Sequence, residues 1–169
     1  YRSVLAIKLA EDFYGEPGFA AQMLKKDLRY IRPKETDLLA LLETGELDYI
    51  FLYRSVAMQH GLKYVVLPDE INLKRAELAA TYAGVSLEIT GSEPGTMMTV
   101  KGEPMVYGVT IPKKAPNYTA AVAFVDMLLG RIGAEIMERN GQPSLVPAPT
   151  DTFQHIPESL RGYARPITQ

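Results

Sequence analysis

Short apolar runs alternate with helix-like segments in the first half of this chain, and the alternation limits the folds that are open to it. Residues 47–53 contain the apolar tetrapeptide YIFL at their centre, which is typical of a strand buried on both faces of a sheet. Residues 63–67 and 85–89 predict two further strands, with a helix over residues 74–82 between them. Strands that alternate with helices predict an α/β fold with parallel strands.

The segments at the start of the chain carry apolar residues at helical spacing. The first helix is expected to begin at Ser3, whose hydroxyl would cap it, and to end at Gly15. Residues 17–31 predict a second amphipathic helix, and a short third helix is expected to begin at Glu35 or Thr36. Three helices therefore precede the first predicted strand.

The second half of the chain predicts a strand pair, a helix pair and a tail. Residues 97–111 predict two strands joined by a turn at Gly102. Asn117 is expected to cap a helix pair that breaks at residues 130–133 and ends at Gly141. The remaining residues are rich in proline, so they predict an irregular tail with one short helix.

The composition excludes several classes of protein. The 169 residues are 47% apolar, which is enough to bury a core without metals or disulfides. The absence of cysteine excludes a disulfide scaffold, a thiolate metal site and a cysteine nucleophile. The net charge of −2 lacks the basic footprint of a nucleic-acid binder, so no nucleic-acid partner is expected. No apolar run reaches the about 18 residues that a membrane span needs.

The sequence carries no recognisable catalytic pattern. His60 and His155 are too far apart in the chain to suggest zinc-ligand spacing, and the glycines form neither a phosphate-binding loop nor a dinucleotide fingerprint. Ser92 and Ser144 lack the context of a nucleophile elbow. We therefore expect a protein that is not an enzyme and that has no catalytic residue and no cofactor.

The tetrapeptide YRSV occurs at residues 1–4 and again at residues 53–56, both times at an expected helix start. Residues 34–37 form a third junction of this kind. Backbone N–H groups and the helix dipole make such junctions suitable for an anion. Two alternatives stay open. The first is that each junction only caps its helix and binds no anion. The second is that Arg2 and Arg54 are exposed or locally paired, as surface arginines commonly are, and do not contact an anion.

Glu35 is unusual because it puts a negative charge at a helix start that otherwise suits an anion. One interpretation is that Glu35 is the acid that a helix dipole favours in the first turn. The other is that its carboxylate is a ligand to a metal centre. In the second case the anion would be a metal oxyanion.

Four long segments carry a resemblance to a known family. They are RPKETDL from residue 32, GELDYIFLYRSVAMQHGLKYVVLPDEINL from residue 45, PMVYGVTIPKKAPN from residue 104 and NGQPSLVPA from residue 140. The chain resembles the C-terminal part of the tungstate/molybdate-binding proteins that serve ABC importers, in particular their archaeal-type branch. The resemblance covers nearly the whole chain. It implies the two-lobed fold of type II periplasmic binding proteins, with an oxyanion held between the lobes, one lobe nearly complete and the other only in part.

The resemblance also implies a binding site. Glu35 matches the family's glutamate that coordinates the metal, tungsten or molybdenum, of the oxyanion, and Tyr53 matches the position whose backbone N–H donates to an oxyanion oxygen. The expected neighbours in the site are Thr36, Arg54, Ser55, Tyr1, Arg2 and Ser3. The family's second coordinating aspartate and two serine contacts match positions upstream of this chain.

The resemblance divides the chain into three parts. Residues 1–107 are expected to form the second, ligand-binding lobe, and residues 108–145 are expected to return to the first lobe. Residues 146–169 are expected to wrap that lobe as a proline-rich tail. The first lobe is incomplete in this arrangement, so the apolar faces of the helix pair lack a partner, and we expect a dimer, a domain swap or a companion chain.

The function that the resemblance implies is capture of tungstate or molybdate outside the cytoplasm, in the periplasm or at the outer face of the membrane, for an ABC transporter permease. Any signal segment is expected upstream of Tyr1. The alternative is an anion-sensing effector domain of a transcription regulator with the same fold. An upstream signal peptide would favour transport, and an upstream helix-turn-helix segment would favour regulation. An enzyme on this fold would need a general base or a nucleophile, which the sequence does not offer.

Overall fold

The computed structural model describes residues 1–25, 30, 32 and 34–167, with the backbone alone at residues 35 and 36. The chain divides into two compact units. The first contains Tyr1–Leu52 and Val65–Tyr107, and the second contains Tyr53–Tyr64 and Gly108–Gln169. The chain passes from one unit to the other at three points, and helices and strands occur together, as expected of an α/β chain.

The helices and strands are short. The α-helices are α1 (Arg2–Tyr14), α2 (Phe19–Leu24), α3 (Leu39–Glu43), α4 (Arg54–Gln59), α5 (Ala79–Tyr82), α6 (Tyr118–Leu129) and α7 (Arg131–Arg139). The strands are β1 (Ser86–Thr90), β2 (Met97–Lys101), β3 (Ala148–Thr150) and β4 (Ala164–Pro166). Short 3₁₀ helices span Glu35–Leu38, Ala76–Leu78, Phe153–His155 and Glu158–Tyr163. None of the described helices combines the length and the apolar character that a membrane crossing requires.

The prediction that Ser3 caps α1 is wrong. Tyr1 is the N-cap residue, and its carbonyl oxygen already accepts the first helical hydrogen bond from the Leu5 N–H at 3.1 Å. Ser3 therefore lies inside the first turn, where its hydroxyl is not in the capping position. Gly15 ends α1 as predicted, because its φ of 64° is a left-handed conformation that glycine adopts at little cost.

The second helix is shorter than its predicted span of residues 17–31. It begins after Gly18, and the Glu11 side chain of α1 caps it, since Glu11 Oε2 accepts a hydrogen bond from the Ala20 N–H at 2.7 Å. The described helix ends at Leu24. Residues 26–29 and 31 of the predicted span lie outside the described residues.

The two short helices predicted near Glu35 and at the second YRSV segment are confirmed. The 3₁₀ helix Glu35–Leu38 continues into α3, which a left-handed Gly45 follows. The helix α4 begins at Arg54 and is followed by Gly61, also left-handed. Glycine ends both helices for the reason that applies to Gly15.

The strands predicted over residues 47–53 and 63–67 are wrong. Both segments lack regular secondary structure and pair with no strand in the described part of the chain. Tyr49 is 86% exposed and Val65 is 80% exposed, so neither lies in a sheet covered on both faces. A buried strand needs hydrogen-bonded neighbours along its edges, and an apolar run cannot supply these by itself.

Sheet pairing among the described residues is limited to two pairs of short strands. The strands β1 and β2 pair antiparallel, with Ser86 opposite Lys101, and β3 and β4 pair in parallel, with Ala148 opposite Ala164. The strand predicted over residues 85–89 is thus confirmed to within one residue at each end. The parallel sheet that the alternation predicted does not form in the described chain, because the other segments expected in it do not pair.

The prediction of two strands joined by a turn at Gly102 is also wrong. Only the part before Gly102 is a strand, and it pairs back to β1. The Gly102 N–H donates to the Val85 carbonyl oxygen at 2.9 Å, and a Cβ at Gly102 would lie 2.1 Å from the Tyr82 carbonyl oxygen. Gly102 therefore marks a close approach of two backbone segments and not a hairpin turn.

The core of the first unit surrounds Tyr82, which is completely buried. The helix α1 contributes Leu5 and Leu9, and the loop before α5 contributes Ile71 and Leu73. The Lys8 ammonium donates to the Ser86 carbonyl oxygen at 2.5 Å, which ties α1 to β1. One apolar face of α1 thus packs against the loop and the antiparallel strands.

The Tyr82 hydroxyl holds the loop that precedes its own helix. It donates to the Asp69 carbonyl oxygen at 2.5 Å and accepts from the Arg75 N–H at 3.2 Å. Burial raises the pKa of Tyr82 above its ordinary value, so the hydroxyl stays protonated and remains a donor at neutral pH. The loop is thereby held at both ends by one side chain.

The second unit contains the predicted helix pair. The cap at Asn117 is confirmed, because its Oδ1 accepts from the Ala120 N–H at 2.9 Å, and Gly130 separates α6 from α7. The helix pair leaves large apolar side chains exposed, namely Phe124, Met127, Ile132 and Ile136. The tail carries the predicted short helix as Glu158–Tyr163 and adds the parallel pair of β3 and β4.

Tyr82→Phe should lower the free energy of unfolding by about 0.5–1.5 kcal/mol, because it removes two partly buried hydrogen bonds to the loop backbone. Urea unfolding followed by circular dichroism measures the change. Tyr163→Phe is the matched control, since the Tyr163 hydroxyl donates to Asp126 Oδ1 in an exposed bond and its loss should leave stability unchanged. Equal losses in the two variants would contradict the role of Tyr82.

Candidate functional site

The candidate site residues occupy three helix starts. Tyr1, Arg2 and Ser3 lie together at the start of α1 in the first unit. Glu35 and Thr36 begin the 3₁₀ helix Glu35–Leu38 in the same unit, and Tyr53, Arg54 and Ser55 lie at the start of α4 in the second unit.

The start of α1 has the features of an exposed helix N-terminus. Tyr1 provides no side-chain cap, and the first turn carries no acidic residue. The Arg2 guanidinium carbon lies 5.4 Å from the centroid of the Tyr1 ring, which is the distance of a cation–π contact. Arg2 is therefore locally paired, which is one of the alternatives that the sequence left open.

The start of α4 repeats this arrangement on a shorter helix. Tyr53 is extended, with φ −71° and ψ 140°, and its carbonyl oxygen accepts from the Ala57 N–H at 3.0 Å. No Tyr53 side-chain bond caps the helix, and the first turn again has no acidic residue. Tyr53 and Ser55 are half-buried, whereas the Arg54 side chain is exposed. Both YRSV segments thus begin helices whose first turns are free of negative charge.

The start of the 3₁₀ helix differs because its first residue is acidic. Glu35 opens the helix, and the Asp37 N–H donates to the Lys34 carbonyl oxygen at 3.2 Å, which closes the first turn. The structure describes the backbone of Glu35 and Thr36 and not their side chains. The backbone position agrees with the predicted helix start, and the metal-ligand role of Glu35 stays a prediction.

No group of three or more histidine, aspartate or glutamate residues among the described residues is arranged to hold a metal ion. One shallow groove of about 530 Å³ lies around Phe19, and another of about 490 Å³ lies around Tyr118 and Pro157. Neither groove is lined by a predicted site residue.

The sequence did not indicate that Gly141 lies next to α4. The pair Asn140-Gly141 signals a helix end with a left-handed residue, which the structure confirms with φ +79°. Its contact with Ser55 is visible only in the folded chain. No pattern within either segment announces a contact between residues so far apart in the chain.

Most of this chain matches one known protein family. The family of bacterial extracellular solute-binding proteins matches residues 3–142, which is most of the chain. The chain belongs to this family. The match includes six of the eight candidate site residues, and the other two, Tyr1 and Arg2, precede it.

Three curated relatives give further detail about this solute-binding protein. An uncharacterized solute-binding protein of Petrotoga mobilis is 47% identical over 98% of the chain and 52% of its own length. The molybdate/tungstate-binding protein WtpA of Pyrococcus abyssi is 42% identical over 96% of the chain and 51% of its own length. WtpA of Thermococcus kodakarensis is also 42% identical, over 96% of the chain and 50% of its own length. The chain spans about half the length of these relatives.

Ser3→Ala should change the free energy of unfolding by less than about 0.5 kcal/mol, because the Ser3 hydroxyl does not cap α1. Asn117→Ala should cost about 1 kcal/mol, because it removes the side-chain oxygen that caps α6. Urea unfolding of both variants beside the wild type measures the difference. A loss at Ser3 as large as that at Asn117 would show that Ser3 does cap its helix.

Proposed function

We propose that this solute-binding protein captures tungstate or molybdate outside the cytoplasm and delivers it to an ABC transporter permease. The observation that carries the proposal is the similarity to two proteins named molybdate/tungstate-binding protein, each 42% identical over 96% of this chain. The family description, extracellular solute-binding protein, supports the location and the transport role. Within the proposal, the chain binds its ligand without converting it.

The position of Glu35 supports a metal oxyanion over an ordinary anion such as sulfate. A carboxylate at a helix start would repel any anion that approached it only through hydrogen bonds. Tungsten and molybdenum can accept a carboxylate oxygen as an additional ligand, whereas the sulfur of sulfate cannot. Glu35 is proposed to make that bond, with Thr36 beside it, so that one side chain both binds the metal and rejects sulfate.

The two YRSV helix starts are proposed to supply the hydrogen-bond donors. Helix N-termini bind oxyanions through their N–H groups and dipole, and neither first turn carries an acid that would oppose this. The backbone N–H of Tyr53 is proposed to donate to an oxyanion oxygen. Arg54 and Ser55, and Tyr1 to Ser3 at the other helix start, are proposed as neighbours of the ligand.

The proposed mechanism is closure of two lobes on the ligand. An oxyanion favours the closed form only through the contacts that closure adds, and the permease then recognises that form. Residues 1–107 are proposed as the ligand-binding lobe, residues 108–145 as a return to the first lobe and residues 146–169 as its tail. The exposed apolar side chains of α6 and α7 support a further covering chain segment or partner, by the argument from unpartnered apolar surface.

Glu35→Gln should weaken tungstate binding by at least about tenfold, because the neutral amide is a poor ligand for tungsten. It should also reduce the ratio of tungstate to sulfate affinity, since the charge that repels sulfate is lost. Calorimetric titration of the complete product of the gene with tungstate, molybdate and sulfate measures both effects.

Glu43→Gln is the matched control for this experiment, because it removes the same charge from an exposed position at the end of α3. It should leave all three affinities unchanged. An unchanged tungstate affinity and an unchanged tungstate-to-sulfate ratio in Glu35→Gln would refute the metal-ligand role. Absence of tungstate and molybdate binding in the wild type would refute the proposed function itself.

A further inference from the structure

The turn that ends α7 packs directly against the first turn of α4, and both lie in the second unit. Gly141 is buried, and a Cβ built on it would lie 2.7 Å from Ser55 Cα and 3.2 Å from Ser55 N. The same Cβ would lie 3.0 Å from Met58 Sδ. Two backbone segments of the chain therefore meet here at a distance that only glycine permits.

Two backbone hydrogen bonds hold the turn on its own side of this contact. The Gly141 N–H donates to the Glu138 carbonyl oxygen at 2.9 Å, and the Gln142 N–H donates to the Met137 carbonyl oxygen at 2.9 Å. The left-handed φ of +79° at Gly141 completes the helix-ending turn. Added volume at Gly141 would therefore have to displace the start of α4 or break these bonds of the turn.

The helix α4 depends on such contacts for its position. It has six residues, fewer than the about 12–15 that an isolated helix needs to be even marginally stable in water. Within α4 only Ala57 is fully buried, so little core packing holds the helix. The turn contacts α4 at both ends, because the Gln59 side-chain amide also donates to the Asn140 carbonyl oxygen at 3.4 Å.

We infer that Gly141 is a positioning residue for oxyanion binding, which fixes the start of α4 and thereby the aim of the Tyr53 N–H. The inference rests on the proposed function for its effect on affinity. Hydrogen bonds to an oxyanion tolerate only a few tenths of an ångström around about 2.9 Å, and the contact distances require a shift of at least that size for any side chain. Gly141 does not touch the ligand in this scheme and acts only through α4.

The first test compares Gly141→Ala with Gly45→Ala in the complete product of the gene. Gly45 has a nearly equal φ of +76°, but no atom lies within 4 Å of a Cβ built there, so its variant carries the backbone strain without the contact. Both variants should lower the melting temperature. Only Gly141→Ala should weaken tungstate binding, by about tenfold in calorimetric titration.

A second variant separates stability from positioning. Asparagine tolerates a left-handed φ better than alanine does, so Gly141→Asn should recover part of the stability while keeping the steric contact with Ser55. Its tungstate affinity should remain as low as that of Gly141→Ala. Recovery of affinity together with stability would overturn the inference, since affinity would then follow folding alone.

Amide hydrogen exchange in the ligand-free protein tests the positioning without any ligand. The Ala57 N–H, which bonds to Tyr53 O, should exchange faster in the Gly141 variants and at the wild-type rate in Gly45→Ala. A wild-type exchange rate and wild-type tungstate affinity in a folded Gly141 variant would overturn the inference. If the wild type fails to bind tungstate, the proposed function fails, and the exchange rate alone decides whether Gly141 positions α4.

Discussion

The buried hydroxyl of Tyr82 is the interaction on which the first unit depends. A tyrosine with no solvent exposure must satisfy its hydroxyl inside the protein, and Tyr82 does so with one backbone acceptor and one backbone donor from the loop before α5. That loop supplies Ile71 and Leu73 to the core that covers α1. Through this packing, Tyr82 also holds the helix whose first turn carries one of the candidate binding segments.

The distribution of charge at the helix starts explains why a metal oxyanion is the preferred ligand of the proposal. The first turns of α1 and α4 contain no acid, so their N–H groups and dipoles suit an anion, whereas Glu35 puts a carboxylate at the third start. Hydrogen-bond donors attract a simple anion, whereas a carboxylate repels it. In the proposed site, a tetrahedral anion with an expandable metal centre would satisfy both, because its oxygens accept hydrogen bonds while its metal accepts the carboxylate.

Local signals predicted the helices well and the strands poorly. Gly15 and Gly141 were identified as helix ends, and Asn117 as a cap, because these roles depend on the conformation or side chain of one residue. The runs over residues 47–53 and 63–67 have strand-like composition, yet a strand exists only where another segment pairs with it. Ser3 was misplaced as a cap because the N-cap residue is Tyr1, two residues earlier, and the helix begins at Arg2.

The sequence by itself determined the family, the glycines that end α1 and α7 and the positions of Glu35 and Tyr53 at helix starts, because these follow from collinear motifs and from local backbone preferences. Tertiary structure decided the contacts between distant segments. Gly102 approaches Tyr82, and Gly141 approaches Ser55, so closely that no side chain fits between the two backbone segments. A glycine in a sequence indicates only that the backbone there can adopt unusual dihedral angles or be approached closely. Which segment approaches it depends on the tertiary fold.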